Sequence, residues 1–243
     1  MILDLFKSKP TLKELIPNGF VDIHSHILPG IDDGAKNVEE SLLLISEMQK
    51  LGFSKIIGTP HTYSGVYNNT SESIEKSYKK LGKNITNIEL DFASEYMLDN
   101  SLIENLRNKN ILCLKENYIL VEMSYISAPN NLYEIIFEIK TNGFIPVLAH
   151  PERYSFFHNN IKEFYKLKKH GCFFQINLLS CTGYYGAQVL IMINNLLKNK
   201  IIDFVGSDIH NLNHIKAFEK NVLINRNHIE DLGKCIERNS LFI

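Results

Sequence analysis

The 243-residue chain sets 26 Lys and Arg against 27 Asp and Glu, a formal net charge of −1 at pH 7. That balance gives no broad positive field for nucleic acid or an anionic membrane surface. With 44% hydrophobic residues the chain can bury a sizeable core, yet no apolar run approaches the roughly 18 residues of a membrane helix.

The opening stretch MILDLFKSKPTLKEL lacks the apolar core and cleavage site of a signal peptide. Residues 1–18 read as a surface arm before a single domain over 19–243. Cys113, Cys172, Cys181 and Cys235 show no C-x-x-C spacing and read as reduced thiols in or near the core. A cytoplasmic protein without membrane insertion is expected.

Short runs rich in Ile, Val, Leu and Phe recur along the domain. They fall at about 19–21 (leading into DIH), 55–58, 88–93, 118–122, 145–149, 172–176 and 202–206. Such runs fit strands buried on both faces. Helical segments lie between them. The first follows Asn37, which can cap VEESLLLISEMQKLG with Glu40 completing a capping box; Val38, Leu42, Ile45 and Met48 share a face, and Gly52 ends the run. SESIEKSYKKLGKNI, NSLIENLRNK, NLYEIIFEIKTNG, IKEFYKLKKHG, GAQVLIMINNLLKNK and RNHIEDLGKCIERN supply the others. Strand alternating with helix predicts an α/β fold with parallel strands and crossover helices. Seven units suggest a closed or nearly closed barrel; an open doubly wound sheet is the alternative.

The residues at the ends of these runs carry the chemistry. They are His24 and His26, then His61, Glu95, Glu122, His150 with Arg153, Asn177, and Asp208 with His210. In a parallel barrel these ends share one face, where barrel enzymes place their sites. Five of the nine histidines fall there. Residues i and i+2 on a strand point the same way, so His24 and His26 can both face inward, and Asp208 and His210 repeat the pattern. Imidazole and carboxylate without thiolate suit Zn, Mn or Fe. The candidates outnumber the needs of one ion, so a polynuclear site follows. Taken singly each residue is ambiguous: Asp32, Asp33 and Gly34 could form only a turn. His158, His170, His214 and His228 lie in or near helices and read as structural, and Tyr184 and Tyr185 read as packing.

The stretches DIHSHILPGIDDG, TPH, ASEY, VEM, AHPERY, INLLSCTGYYG and SDIHN resemble the polymerase-and-histidinol-phosphatase (PHP) superfamily, and within it the bacterial protein-tyrosine phosphatases of the CpsB/CapC/YwqE type. The resemblance spans residues 18–243. It implies a distorted seven-stranded TIM-like (β/α)7 barrel holding three divalent ions, most often Mn²⁺. By that resemblance His24, His26, Glu95 and Asp208 hold one ion, and Glu95 bridges to a second completed by Glu122 and His150. Asp33, His61 and His210 hold the third. Asp33 rather than Asp32 takes the ligand position, seven residues after His26. Arg153 is expected to contact substrate phosphate, with His61 and His210 among the catalytic groups. The implied substrate is a phosphotyrosyl protein, a bacterial tyrosine autokinase that controls capsule or exopolysaccharide synthesis. Relatives often carry basic residues after the strand-two histidine, whereas this chain has no Lys or Arg from His61 through Thr70.

None of the four cysteines is followed six positions later by Arg, so the thiolate mechanism of C-x5-R phosphatases is excluded. Metal-assisted hydrolysis, with a bridging hydroxide attacking phosphorus, is the expected route. The alternatives are a small-molecule phosphatase such as one acting on histidinol phosphate, or a non-catalytic metal-binding module.

Overall fold

Among the described residues, nine parallel strands carry the fold. β1 (Phe20–Ser25), β2 (Phe53–Gly58) and β4 (Glu89–Phe92) form a three-stranded sheet in the order β1-β2-β4. The second sheet has six strands in the order β3-β5-β6-β7-β8-β9: His61–Thr62, Glu95–Met97, Tyr118–Glu122, Ile145–Ala149, Phe173–Asn177 and Phe204–Gly206. A computed structural model of the chain supplies this description, which covers residues 8–82, 85 and 87–243.

The expected count of seven strands is thus corrected: among the described residues there are nine, in two sheets. The two extra strands follow the expected runs 55–58 and 88–93, β3 after a break at Thr59–Pro60 and β5 after a break at Ala93–Ser94. Pro60 has no N–H to give to a ladder. Backbone hydrogen bonds persist at the breaks, from Thr59 N to Ser25 O (2.8 Å), Ala93 N to Gly58 O (2.9 Å) and Glu95 N to Pro60 O (3.0 Å). β1 also meets the segment after β9: Asp208 N donates to His24 O (2.8 Å) and His26 N to Ile209 O (2.9 Å). Asn239 strengthens this seam, its buried amide donating to Val21 O and Val205 O, both at 2.8 Å.

β1 and β5–β9 are buried on both faces along almost their whole length, as apolar runs require, whereas the edge strand β4 is exposed or half-buried throughout. Inward residues Val21, Ile23, Leu120, Val147 and Phe204 pack with Phe242 in one cluster, while outward residues join the helices in a larger one. The helices are α1 (Leu12–Leu15), α2 (Val38–Lys50), α3 (Ser71–Leu81), α4 (Asn100–Arg107), α5 (Leu132–Thr141), α6 (Ile161–Lys169), α7 (Ala187–Lys198), α8 (Leu212–Lys216) and α9 (Ile229–Arg238). Asn37 caps α2 through Oδ1, which accepts from Glu40 N at 2.9 Å. The expected capping box is not completed: Glu40 accepts from Lys36 N, outside the helix. The fully buried face is Ser41, Leu44, Ile45 and Met48, turned slightly from the face expected.

The described part of the arm expected over 1–18, residues 8–18, lies mostly at the surface but is anchored at two points. Leu12 and Ile16 are buried in the main core, Leu12 N donates to Lys220 O and Val222 N to Pro10 O. Residues 1–7 of the arm lie outside the described residues. Among the described residues no helix is long and apolar enough to cross a membrane. All four cysteines are free, with Cys172, Cys181 and Cys235 buried.

Candidate metal centre

Parallel strands bring their C-terminal ends together, and the side chains expected there converge. The register of β1 shifts between Asp22 and Ser25, and beyond Ile23 the side chains of His24 and His26, two residues apart, share the inward face, with Nε2 atoms 3.3 Å apart. Glu95 Oε2, from the first residue of β5, lies 3.2 Å from His24 Nε2 and 3.4 Å from His26 Nε2. Asp208 Oδ1 completes the group, 3.4 Å from each of those nitrogens. Four ligands at about 2.0–2.1 Å from one ion would have edges of about 3.3–3.4 Å if tetrahedral, so these donors are spaced for a cation.

The ring orientations are fixed from behind. His24 Nδ1 is 2.7 Å from Gln175 Oε1, His26 Nδ1 is 2.7 Å from Asp32 Oδ2, and His210 Nδ1 is 2.9 Å from Asp208 O. An Nδ1–H donated to oxygen leaves the Nε2 lone pair facing inward, the tautomer a ligand needs. Asp208 is held likewise: Oδ2 accepts from Arg153 Nη1 at 3.1 Å and from Asn177 Nδ2 at 2.5 Å, leaving Oδ1 for the imidazoles.

The remaining candidates extend the centre. His61 Nδ1 lies 2.8 Å from Glu122 Oε1 and 3.1 Å from Glu95 Oε2. Yet His61 Nδ1 and Glu95 Oε2 are buried without a hydrogen bond, as is His150 Nδ1. Close, unaligned donor atoms of this kind suit ligands of a shared cation and are costly otherwise. His150 Nε2 is 3.0 Å from Glu95 Oε1 and 4.0 Å from Glu122 Oε2. Asp33 Oδ1 is 3.6 Å from His61 Nε2 and 3.5 Å from His210 Nε2. Among the described residues four overlapping groups of possible ligands result: His26, Asp33, His61 and His210; His24, His150 and Asp208; His24, His26 and Glu95; and His61, Glu95 and Glu122. The residues are those expected, but His61 turns Nδ1 toward Glu95 and Glu122, and His150 also joins His24 and Asp208.

Electrostatics agree with a cation-binding role. Burial would lower the His26 pKa, but Asp32 beside it raises it well above the ordinary imidazole value. Burial acts the same way on His61, but Glu95 and Glu122 outweigh it and push the pKa up to about 10. Burial would raise Glu95, yet His24 and His61 hold it well below the ordinary carboxylate value. His150 is pulled down to about 4, chiefly by burial. In short, the acids Asp33, Glu95, Glu122 and Asp208 demand positive charge nearby, from protonated imidazoles or from cations.

Two ligand candidates sit in strained backbone. His150 has φ +36° and Asp208 φ +52°, where β-carbon crowding costs about 1–3 kcal/mol. For His150 the strain is compounded by Pro151, which disfavours helical backbone before it. Outward of the centre lies a cleft of about 320 Å³ lined by Asp33, His61, Arg153, Asp208, His210 and His214. The Arg153 guanidinium is held between the rings of Tyr125 and Tyr185, 4.5 and 4.3 Å from their centroids.

Sequence reasoning passed over several of these partners. Tyr185, read as packing, supports Arg153; His214, read as structural, lines the cleft, its Nδ1 3.0 Å from Asp208 O. Asp32 orients His26. The signal for Gln175 was available: it stands two residues before Asn177, so both point to the same face of β8. Glu152 is fully buried, accepts from Asn177 N and Ser180 Oγ, and is raised by burial to about 7; no pattern announced it.

The family model for capsular polysaccharide synthesis, CpsB/CapC, matches residues 20–222. The chain belongs to the CpsB/CapC family. It is 30% identical over 197 residues to the tyrosine-protein phosphatase YwqE of Bacillus subtilis, covering 79% of this chain and 78% of that protein. It is also 30% identical over 202 residues to the tyrosine-protein phosphatase CpsB of Streptococcus pneumoniae, covering 79% and 83%. In three dimensions it is similar to a chain from the crystal structures of YwqE and CpsB, described as unique metal-dependent tyrosine phosphatases. There the TM-score is 0.76 with 27% identity, covering 90% of this chain and 94% of the other.

Proposed function

We propose that this chain is a metal-dependent protein-tyrosine phosphatase. The observation that carries the reading is the set of inward Nε2 atoms of His24 and His26 around Glu95 and Asp208, each ring fixed from behind, at the floor of a cleft that holds Arg153. Family membership and its metal-dependent relatives support it.

In this reading His24, His26, Glu95 and Asp208 hold one divalent ion. Glu95, Glu122 and His150 hold a second, and Asp33, His61 and His210 a third. Mn²⁺ is the proposed metal, with Fe or Zn suited to the same donors. Bound divalent cations supply Lewis acidity, favouring hydroxide over water near neutral pH and offsetting phosphoryl charge. The chain's own groups do the rest. Arg153, clamped between Tyr125 and Tyr185, presents its guanidinium to the cleft, where its free N–H groups bind and orient the phosphoryl oxygens. His61 and His210, at the cleft wall, would serve catalysis by holding the third ion rather than as proton donors. The cysteines take no part: burial raises every one of their pKa values, that of Cys172 to about 12, so none is a ready thiolate.

The proposed domain spans 19–243, the fold being a distorted barrel, and the proposed place of action is the cytoplasm. The proposed substrate is the phosphotyrosyl form of a bacterial tyrosine autokinase in capsule or exopolysaccharide synthesis. Arg153→Ala tests the substrate-binding part. Its kcat/KM on a phosphotyrosyl peptide should fall roughly 10–1000-fold with a raised KM, the loss of a charge-assisted contact. An unchanged kcat/KM would remove Arg153 from the site.

A further inference from the structure

We infer that an apolar groove beside the metal centre receives an aliphatic or aromatic side chain next to the phosphotyrosine of a peptide substrate. The inference rests on the phosphatase reading above. The groove has a volume of about 290 Å³ and is walled by Tyr63, Val66, Tyr67, Met97, Tyr125 and Ile126. It is continuous with the catalytic cleft, since His61 and Tyr125 border both. The ring of Tyr125 stands at the divide and carries the Arg153 guanidinium 4.5 Å from its centroid. A peptide with its phosphate on Arg153 therefore brings a neighbouring side chain to this groove.

The chemistry of the walls selects that side chain. No Lys or Arg occurs from His61 through Thr70, and the opposite wall, Met123 through Ala128, has no charged residue. An acidic neighbour finds no Lys or Arg among these walls and meets the Glu122 carboxylate beside them. Val66 is 57% exposed and Ile126 89% exposed, large apolar surfaces at the rim of a cleft. Apolar surface of this kind gains free energy when a similar group covers it.

One wall is built in advance. Tyr63 and Tyr67 exchange backbone hydrogen bonds of 2.9 and 2.8 Å across a tight turn, in which Gly65 takes φ +80°. The Asn69 amide donates to His61 O (2.7 Å) and Ile31 O (3.0 Å), tying the turn to the centre. The Tyr67 ring lies nearly parallel to His61, 5.4 Å between centroids and 13° between planes. A preformed wall loses little entropy when it is covered.

The test uses the full chain supplied with Mn²⁺. Hydrolysis of p-nitrophenyl phosphate comes first; if it is absent, the phosphatase reading fails and takes this inference with it. Three phosphotyrosyl peptides follow, identical except that Leu, Ser or Glu flanks the phosphotyrosine on both sides. The Leu peptide should exceed the Ser peptide about 10-fold in kcat/KM, with Glu lowest. In the double variant Val66→Ser, Ile126→Ser the Leu-to-Ser ratio should fall to near one. The ratio is internal to each protein, so a lower folded fraction does not move it. Active wild type with a ratio near one, or a ratio that survives in the variant, overturns the inference. The first of these outcomes would leave the groove to the phosphotyrosine ring itself.

Discussion

His26 shows how a ligand is made from three positions. Its place on β1 turns it inward, Asp32 Oδ2 at 2.7 Å fixes its ring, and its Nε2 faces Glu95 and Asp208. Asp32 also accepts from Gly34 N and His61 N, so one carboxylate ties the β1 loop to the start of β3. Asp32→Asn keeps the size but loses the charge behind the imidazole. Metal affinity should fall roughly 10–100-fold while the chain stays folded, as isothermal titration with Mn²⁺ would register. Equal affinity would mean that Asp32 serves only its turn. At this scale the ligand types were legible, because H-x-H on a strand follows a period of two. The supporting groups were not: Asp32 and Gln175 act through contacts that only the fold creates, and the positive φ of His150 and Asp208 leaves no mark in composition.

Elements were the most legible level. Apolar runs bounded by polar segments located the strands, because parallel strands buried on both faces need continuous Ile, Val, Leu and Phe. What escaped was that the residues just after runs 55–58 and 88–93 start strands of their own: β3 and β5 pair in a different sheet from β2 and β4. Short elements also escaped. α1 has only four residues, too few for periodicity, yet Thr11 and Glu14 form a full capping box and Leu12 is buried. The seam between β1 and β9 depends on Asn239, whose side chain meets Val21 O, Val205 O and Val205 N. Asn239→Ala leaves these buried groups short of partners and should cost about 2–3 kcal/mol. For a chain of this size that lowers Tm by roughly 5–10 °C in a thermal melt. A shift under a degree or two would show that the seam is held by backbone contacts alone.

Across the whole molecule a near-neutral chain, formal charge −1, gathers Asp33, Glu95, Glu122 and Asp208 around five imidazoles at one mouth. Such a gathering is unfavourable unless cations or protons balance it, and strained backbone at His150 and Asp208 adds to the cost. Folding energy is therefore committed to a site, and the ligand spacings say for what. The most direct measurement strips the protein with chelator, adds Mn²⁺ back in steps, and follows both bound metal per chain and hydrolysis of a phosphotyrosyl peptide. Activity should vanish on stripping and return in proportion to metal bound, to a limit of about three ions. Full turnover by the stripped chain, or metal binding that restores none, would contradict the account.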